Sequence, residues 1–595
     1  MNNPRPRLIR HPVIIALIFF TLGVYSYPII ETWAKSGSSE SPSIFGSDVG
    51  LYLFISKVAT FSSGPILNPY YGIEVPPNAT PHLRFRLAFL LFGHLDTLLG
   101  GHLWLAVLVW SLFWWGLLCW IAVWLFGQFL PDNSILLVTL GFGFLMWSNF
   151  GLLKSLCLAW IHLPSLKGFE SVGLAYARPF FPQIPIPLLL AYLGLQMSLL
   201  REPRFRIWAG MGMLQLSAFA IFPYATLMMA GITLVVTVWQ IVARIQSVPW
   251  RSLVAYGAFC AAVDFLYLLY VRTPANGPQT QTSAFRIEIA VLPHLIGGAW
   301  ILLTILTLAT ALLRTLPPEV KWPLVGLGLV NMGLLLGDVL FETSLMISHH
   351  AGYFVHPTVA VLLTFILSAL CVRLRATSRY LRFALGAAVT LLSVNAMLLA
   401  EANYRACLPL KDQQVETVSL LQSIPVRPDD LLIVHATFVD DACEWAPLVS
   451  NAKVLFCRNA AALLGPNQNQ TIQRFRQALY LYFTGEDSRQ LERITEDPKA
   501  FEEQMRLAHF GGITSFRKDE RDGAVRAIRM ELIPLLDDAE RQDPAIYAFL
   551  RQYSRILVVD DREHPIFDRQ RLASYLIIQK EAPSGDMTLL YCYPK

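Results

Sequence analysis

Charge is what this chain has least of. Only 15% of its 595 residues are Asp, Glu, Lys or Arg, against about 25% in ordinary soluble domains. With 54% hydrophobic residues and a mean hydropathy of +0.47, it has too few polar side chains to cover a surface facing water, which excludes a wholly soluble globular protein. Basic tails are missing as well. The net charge is +5 and no Lys-rich run occurs, so the electrostatic footprint of a nucleic-acid binder is absent. The hydrophilic part of the sequence holds no phosphate-binding glycine loop, no nucleophile elbow and no metal-ligand spacing. The charges that are present divide unevenly. Before about residue 400 they form short clusters between long apolar runs; beyond it Asp, Glu, Arg and Gln are common.

A helix needs roughly 20 apolar residues to cross about 30 Å of hydrocarbon. About eleven segments meet that pattern, near 12–30, 103–127, 134–152, 183–200, 207–222, 225–243, 253–271, 290–313, 322–341, 352–372 and 381–400. The first follows Arg5, Arg7 and Arg10 as a signal peptide would, but no small-residue cleavage site follows Tyr27-Pro28, so it is expected to remain as an anchor. Basic residues mark cytoplasmic loops. Alternation from a cytoplasmic N-terminus puts Arg201, Arg204 and Arg206, then Arg244 and Arg251, Arg314 and Lys321, and Arg373, Arg375 and Arg379 on that side. The long opposite loops, about 31–86, 153–182 and 272–289, are then outside, where long loops carry function. The expected organisation is a multi-pass transmembrane domain over 1–400, with its long first outer loop at 31–86, and an extracytoplasmic domain over 401–595 in a cytoplasmic (inner) membrane.

The C-terminal part alternates strand and helix patterns. Leu431–Val434, Val454–Phe456 and Ile556–Val559 read as buried strands, and 575–578 with 589–591 as a closing hairpin. Helical spacing near 471–485 and 520–550 completes a small α/β domain. Cys407, Cys443, Cys457 and Cys592 lie here and could form two bridges in an oxidising compartment, with Cys443–Cys457 the preferred pair. The four cysteines in or near spans, Cys119, Cys157, Cys260 and Cys371, read as packing.

The first outer loop is the most distinctive stretch. It runs Phe45-Gly46-Ser47-Asp48-Val49-Gly50-Leu51-Tyr52, then Asn68-Pro69-Tyr70-Tyr71, then Pro76-Pro77-Asn78-Ala79-Thr80-Pro81-His82-Leu83-Arg84-Phe85-Arg86. Ser47-Asp48 opens an apolar helical stretch suited to lie along a membrane surface. An acidic residue just after the first span, a surface helix, an Asn-Pro-Tyr turn and a Pro-rich stretch together resemble a bacterial GT-C fold glycosyltransferase. Tyr176-Ala177-Arg178-Pro179 with Pro182, Pro185 and Pro187, and Ser348-His349-His350-Ala351-Gly352-Tyr353, are similar to stretches of bacterial members. The resemblance covers roughly residues 1–400. It implies a GT-C-like all-α membrane domain followed by the α/β domain, a polyprenyl-phosphate-linked sugar donor, and a lipid, glycan or protein acceptor. One departure stands out: Asp48 is preceded by Ser47 rather than a second acid. The cofactor is therefore open between a divalent cation, Mg or Mn, and none.

Glycosyl transfer needs a base for the acceptor proton and cations or hydrogen-bond donors for the departing phosphate. The expected base is Asp48. The expected phosphate-binding residues are Arg84, Arg86, Arg178, His349 and His350, with Tyr52, Tyr70 and Glu342 in support. Each has a plainer role available. Asp48 can cap a helix, Arg84 and Arg86 can sit at the interface, and His349 and His350 can end a helix. Asp264 in an apolar run and Asp338 near Glu342 are further acids at membrane level. His94, Asp96 and His102 cluster in an amphipathic stretch without a specific metal spacing. Two other classes compete with the enzyme: a transporter or flippase for a lipid-linked substrate, against which the lack of an internal repeat counts, and a catalytically inactive scaffold of the same fold.

Overall fold

The computed structural model describes residues 11–36, 53, 56, 71, 87–131, 134–158, 174–177, 180, 182–243, 254–259, 262, 265, 298–336, 351–373, 379–434, 443, 446–447, 450, 452–457, 466–497, 525–526 and 528–595; side chains at 32, 33, 35, 36, 374–379, 406–419, 422 and 466–471 lie outside that description. The chain packs as two compact units. One gathers Met1–Glu31, Val107–Thr273 and Val291–Ala406; the other gathers Thr32–Ala106, Pro274–Ala290 and Cys407–Lys595.

The first unit is helical. Its elements are α1 (Pro12–Ser36), α3 (Leu103–Phe129), α4 (Ile135–Met146), α5 (Phe150–Leu158), α6 (Pro185–Arg201), α7 (Phe205–Ile221), α8 (Pro223–Val242), α9 (Ala299–Leu312), α10 (Pro318–Leu335), α11 (Val355–Arg373) and α12 (Arg379–Ser423), with α2 (Leu87–Leu98) in the second unit. Among the described residues, five segments are long and apolar enough to cross a membrane: Pro12–Glu31, Leu103–Phe129, Pro223–Val242, Val355–Arg373 and Tyr380–Arg405. Of the expected eleven spans, these five have the length and composition to cross a membrane among the described residues. Helices stand at ten of the eleven places, and 253–271 is described only in part. Several are shorter than a span needs, such as the 12 residues of α4. The reason at 134–152 is local. The helix stops at Trp147, and Asn149 starts a new one by accepting the Leu152 N–H at 2.9 Å, as a helix-capping Asn does.

The surface of this unit is apolar. Phe19, Phe113, Leu234 and Leu391, on four different helices, are each more than 60% exposed. Inside, helices approach closely at glycine. A Cβ at Gly194 on α6 would strike the Trp124 ring on α3, and one at Gly328 on α10 would strike Thr307 on α9, which is how helices pack in lipid. At one end of the bundle Arg201 pairs with Glu319 at 3.4 Å and donates to the Gln128 carbonyl at 3.3 Å. The ends of α3 and α6 and the start of α10 therefore meet.

The second unit is organised around a five-stranded sheet: β1 (Asp430–Ile433), β2 (Lys453–Val454), β3 (Arg555–Asp561), β4 (Leu576–Ser584) and β5 (Met587–Pro594), in the order β2-β1-β3-β5-β4. β2, β1 and β3 are parallel; β5 runs antiparallel to both β3 and β4. Helices α13 (Pro466–Phe483), α14 (Ser488–Glu496), α15 (Ile533–Glu540), α16 (Pro544–Leu550) and α17 (Arg569–Tyr575) complete it. All four residues of β1 are buried, as a strand covered on both faces requires. The β4–β5 hairpin turns at Gly585, whose φ of 62° suits glycine.

The expected Cys443–Cys457 bridge does not form. Cys443, Cys457 and Cys592 are buried and outside any disulfide. The Tyr71 phenol neighbours both Cys443 and Cys457, so an aromatic ring, not a sulfur bridge, occupies that end of the sheet. Burial pushes the Cys592 thiol up to about 12, which keeps it protonated and unreactive.

The parallel pair β1–β3 is fastened by charge. Asp430, with no side-chain exposure, accepts from Arg555 at 2.5 and 3.1 Å and from the Arg427 N–H at 2.7 Å. Arg555→Ala is expected to cost about 3–5 kcal/mol by leaving a buried carboxylate without its cation. Urea unfolding followed by sheet circular dichroism checks this, and a double change to apolar residues, Asp430→Leu with Arg555→Met, should lose less.

Candidate functional site

The residues nominated from sequence, Asp48, Tyr52, Tyr70, Arg84, Arg86, Arg178, Glu342, His349 and His350, lie outside the described residues, as do Asp264 and Asp338. The structure instead places the flanks of three of the nominated motifs, and each flank is a buried polar junction.

The first junction lies in the helical unit and centres on His356, the second residue of α11. It is 6% exposed and both ring nitrogens are engaged. Nε2 is 3.2 Å from Ser148 Oγ and Nδ1 is 3.0 Å from the Tyr176 hydroxyl. The only hydrogen of Ser148 Oγ goes to the Phe144 carbonyl at 2.5 Å. His356 Nε2 must therefore carry a hydrogen and donate to Ser148, and Nδ1 accepts from Tyr176. The Tyr176 carbonyl in turn accepts from Trp115 Nε1 at 2.8 Å. Neighbouring bonds extend this junction. Tyr25 donates to the Met146 carbonyl at 2.7 Å, Trp147 Nε1 to Thr21 at 2.9 Å, and Asn395 to the Trp147 carbonyl at 2.8 Å. Helices α1, α3, α4, α11 and α12 and the Tyr176 segment are thus joined by bonds made in an apolar surrounding, where an unmade bond would be costly.

The segment after Tyr176 carries two departures from ordinary packing. Phe180, fully buried with its ring 5.7 Å from that of Trp110, has φ of 69°. A bulky side chain in the left-handed region is strained and needs its surroundings to hold it there. Gln183, also fully buried, makes no hydrogen bond through either amide atom. An unsatisfied buried amide costs on the order of 1–3 kcal/mol. Strain and an unsatisfied amide fall within five residues of Arg178, in the Pro-rich stretch picked out from sequence.

The second junction lies in the other unit. Tyr71, from the Asn-Pro-Tyr-Tyr turn, is 3% exposed, and its hydroxyl donates to Gln473 Oε1. Its ring lies under the Arg476 guanidinium, 4.2 Å from centroid to carbon. Burial raises the Tyr71 phenol far above its ordinary range, and the Arg476 charge only partly opposes this, so it stays a neutral donor.

Sequence reasoning missed His356, Gln183, Tyr71 as distinct from Tyr70, and Arg476. His356 stands six residues past the His349-His350 pair, and a lone His before Pro carried no signal of its own. His94, Asp96 and His102 do not assemble: no group of three metal-ligating side chains occurs among the described residues.

No family model matches the chain, and no curated protein matches it. Among solved structures the chain is similar to the archaeal oligosaccharyltransferase AglB from Archaeoglobus fulgidus, determined in complex with an inhibitory peptide and a dolichol-phosphate. The two share 12% identity at a TM-score of 0.45, over 82% of this chain and 68% of that one. A TM-score below 0.5 assigns neither fold nor chemistry.

Gln183→Met removes the unsatisfied amide at nearly constant volume. The expected result is a higher thermal unfolding midpoint for the protein in detergent, read by a scan of Trp fluorescence.

Proposed function

We propose that this chain is an inverting membrane glycosyltransferase of the GT-C kind, using a polyprenyl-phosphate-linked sugar. The reading sets a membrane domain over 1–400 and an extracytoplasmic domain over 401–595, in a cytoplasmic membrane with the N-terminus inside. The observation that carries it is the bond between Tyr176 and His356. Tyr176 precedes Arg178 by two residues and His356 follows His350 by six. Tyr176 and His356, which flank two motifs far apart in sequence, meet, and both motifs carry cations suited to a phosphate. The apolar exterior of the helical unit and the meeting of the ends of α3 and α6 with the start of α10 support the membrane placement.

The chemistry follows from the residue types. The acceptor hydroxyl attacks the anomeric carbon from the face opposite the phosphate. Its proton passes to the Asp48 carboxylate. The bond from the anomeric carbon to the phosphate oxygen breaks, and polyprenyl phosphate leaves with the electron pair, steadied by Arg84, Arg86, Arg178, His349 and His350. One new carbon–oxygen bond replaces another and the sugar configuration inverts. The phosphate of a lipid-linked donor sits at headgroup level while its chain lies in the bilayer, so this chemistry belongs at a membrane boundary. The acceptor is a lipid, a glycan or a protein.

Asp48→Asn tests the assignment. With purified protein and a radiolabelled polyprenyl-phosphate sugar, transfer should fall by about 10²- to 10⁴-fold while donor binding and thermal stability stay at wild-type level. Full transfer by the variant would remove Asp48 as the base. Movement of the labelled lipid across vesicles without transfer would favour the flippase reading.

A further inference from the structure

Three polar side chains of the helical unit stand at one level, where α3 meets the start of α6. The two helices run side by side in a fixed register. Phe180 meets Trp110 with ring centroids 5.7 Å apart, Gly194 faces Trp124, and the Arg201 guanidinium lies 4.7 Å from the Phe129 ring. These pairs are 70, 70 and 72 positions apart in sequence, so Gln183 stands level with Phe113 and Trp114. The Ile184 N–H donates to the Phe180 carbonyl at 2.9 Å, closing the turn that holds Gln183 there. Trp110 and Trp114 are one helical turn apart, with rings 5.8 Å apart, and so share a face of α3. Ser111 stands one turn from Trp115, whose Nε1 donates to the Tyr176 carbonyl at 2.8 Å. The part of α3 that carries Ser111 and Trp114 therefore lies beside Tyr176, Phe180 and Gln183.

Ser111 and Gln183 are fully buried and Trp114 is 7% exposed, and Ser111 Oγ, Trp114 Nε1 and both Gln183 amide atoms have no hydrogen-bond partner. Ser26, Ser148 and Ser393 each return their hydroxyl to the carbonyl four residues back, the usual resort of a helical serine. Ser111 does not. The three side chains offer donors and acceptors together and carry no charge. A phosphate asks for cations, and an alkyl chain asks for no polar atom. A sugar hydroxyl both donates and accepts, and neighbouring hydroxyls match a carboxamide, a serine hydroxyl and an indole N–H side by side. The level fits as well. Trp114 is about 21 Å along α3 from the Gln128 end, where Arg201 and Glu319 pair, and so lies in the half of a span nearest the opposite headgroups.

We propose that Ser111, Trp114 and Gln183 form a subsite for an uncharged, polyhydroxylated group, the sugar of the lipid-linked donor. Assigning the group to the donor rests on the glycosyltransferase reading; a subsite for a hydroxylated group does not. The atoms are reached by opening the turn at Phe180, and a residue held at φ of 69° is where that turn gives. Opening relieves the backbone strain and lets the four bonding atoms take partners in the same step.

The test uses the full chain in lipid nanodiscs and compares binding of bare polyprenyl phosphate with binding of polyprenyl-phosphate glucose, galactose, N-acetylglucosamine and arabinose. Wild type is expected to prefer at least one sugar-bearing lipid over the bare one. Gln183→Met, Ser111→Ala and Trp114→Phe should each cut that preference by about 2- to 10-fold, the loss of one or two neutral hydrogen bonds, with affinity for the bare lipid within twofold of wild type. Gln183→Met should combine this weaker preference with its higher unfolding midpoint, which a residue with a packing role alone does not do. Should Trp114→Phe unfold the bundle, the other two variants decide. A preference unchanged in the variants overturns the subsite, and so does a wild type that binds bare and sugar-bearing lipids alike. A wild type that binds none of these lipids sinks the polyprenyl-phosphate reading instead. Octyl glucoside, with a sugar and a chain but no phosphate, then judges the subsite: binding weakened about twofold or more by Gln183→Met supports it, and equal or absent binding overturns it.

Discussion

Arg476 is a cation in the interior of the second unit with no acid paired to it among the described residues, and the structure around it is what that demands. Two backbone carbonyls at the end of β2, one phenol and two aromatic faces surround the guanidinium. Only one of these partners is local in sequence: the strand end lies about twenty residues upstream, Tyr553 and Phe549 come from the α16 region, and Tyr71 comes from the other end of the protein. A lysine would not serve. The planar guanidinium stacks on rings and donates in several directions at once, whereas an ammonium is a strongly hydrated point charge. The hydrophobic core explains that the sheet is buried. The arginine explains why the carboxyl edge of β2 is closed by an aromatic residue distant in the sequence.

The helical unit answers the same demand in a different solvent. Its exterior is apolar, so each polar group inside must find a partner within the protein. Most do, in short chains. Tyr192 bonds Thr233 at 2.6 Å and Tyr256 at 2.5 Å, Thr233 bonds Gln196 at 3.1 Å, and Tyr256 bonds Gln215 at 2.7 Å. Gln183 leaves both amide atoms without a partner and Phe180 holds a left-handed backbone. Both belong to the segment between Tyr176 and α6, which the His356 junction holds at its start and the α6 helix holds at its end. A segment gripped at both ends can keep strain and an unsatisfied group that a free loop would relax.

Much of the architecture was legible in the sequence because it depends on period and composition. Among the described residues, the long apolar runs located ten helices, and the short apolar runs and the closing hairpin located the five strands of the sheet. What was not legible depends on geometry between distant residues. The segment 134–152 reads as one span by hydropathy, yet Asn149 breaks it, because capping is a local bond that an average over many residues hides. The pairing of Cys443 with Cys457 looked sound from their positions beside strands. Nothing in the order of residues shows that Tyr71 enters between the sheet edge and α13. The sheet order, with β5 beside β3, likewise follows from long-range pairing rather than from any motif.

The three motifs share a division of labour that changes how their residues should be read. In each, a residue with chemical potential stands close to one that is buried and bonded: Tyr70 beside Tyr71, Arg178 after Tyr176, and His350 before His356. Sequence inspection tends to select the charged or catalytic residue type and to pass over its neutral neighbour. The neutral neighbour, however, fixes where the backbone runs, and over two to six residues the backbone fixes where the reactive group can reach. On the proposed reading, a change at Tyr176 or His356 would reduce activity much as a change at Arg178 or His350 would, without either residue touching substrate. Loss of activity alone does not separate the two roles. They separate only when turnover, affinity and local protection are measured on the same variant, because a displaced phosphate ligand weakens donor binding, whereas a lost buried bond loosens the segment before it alters the chemistry.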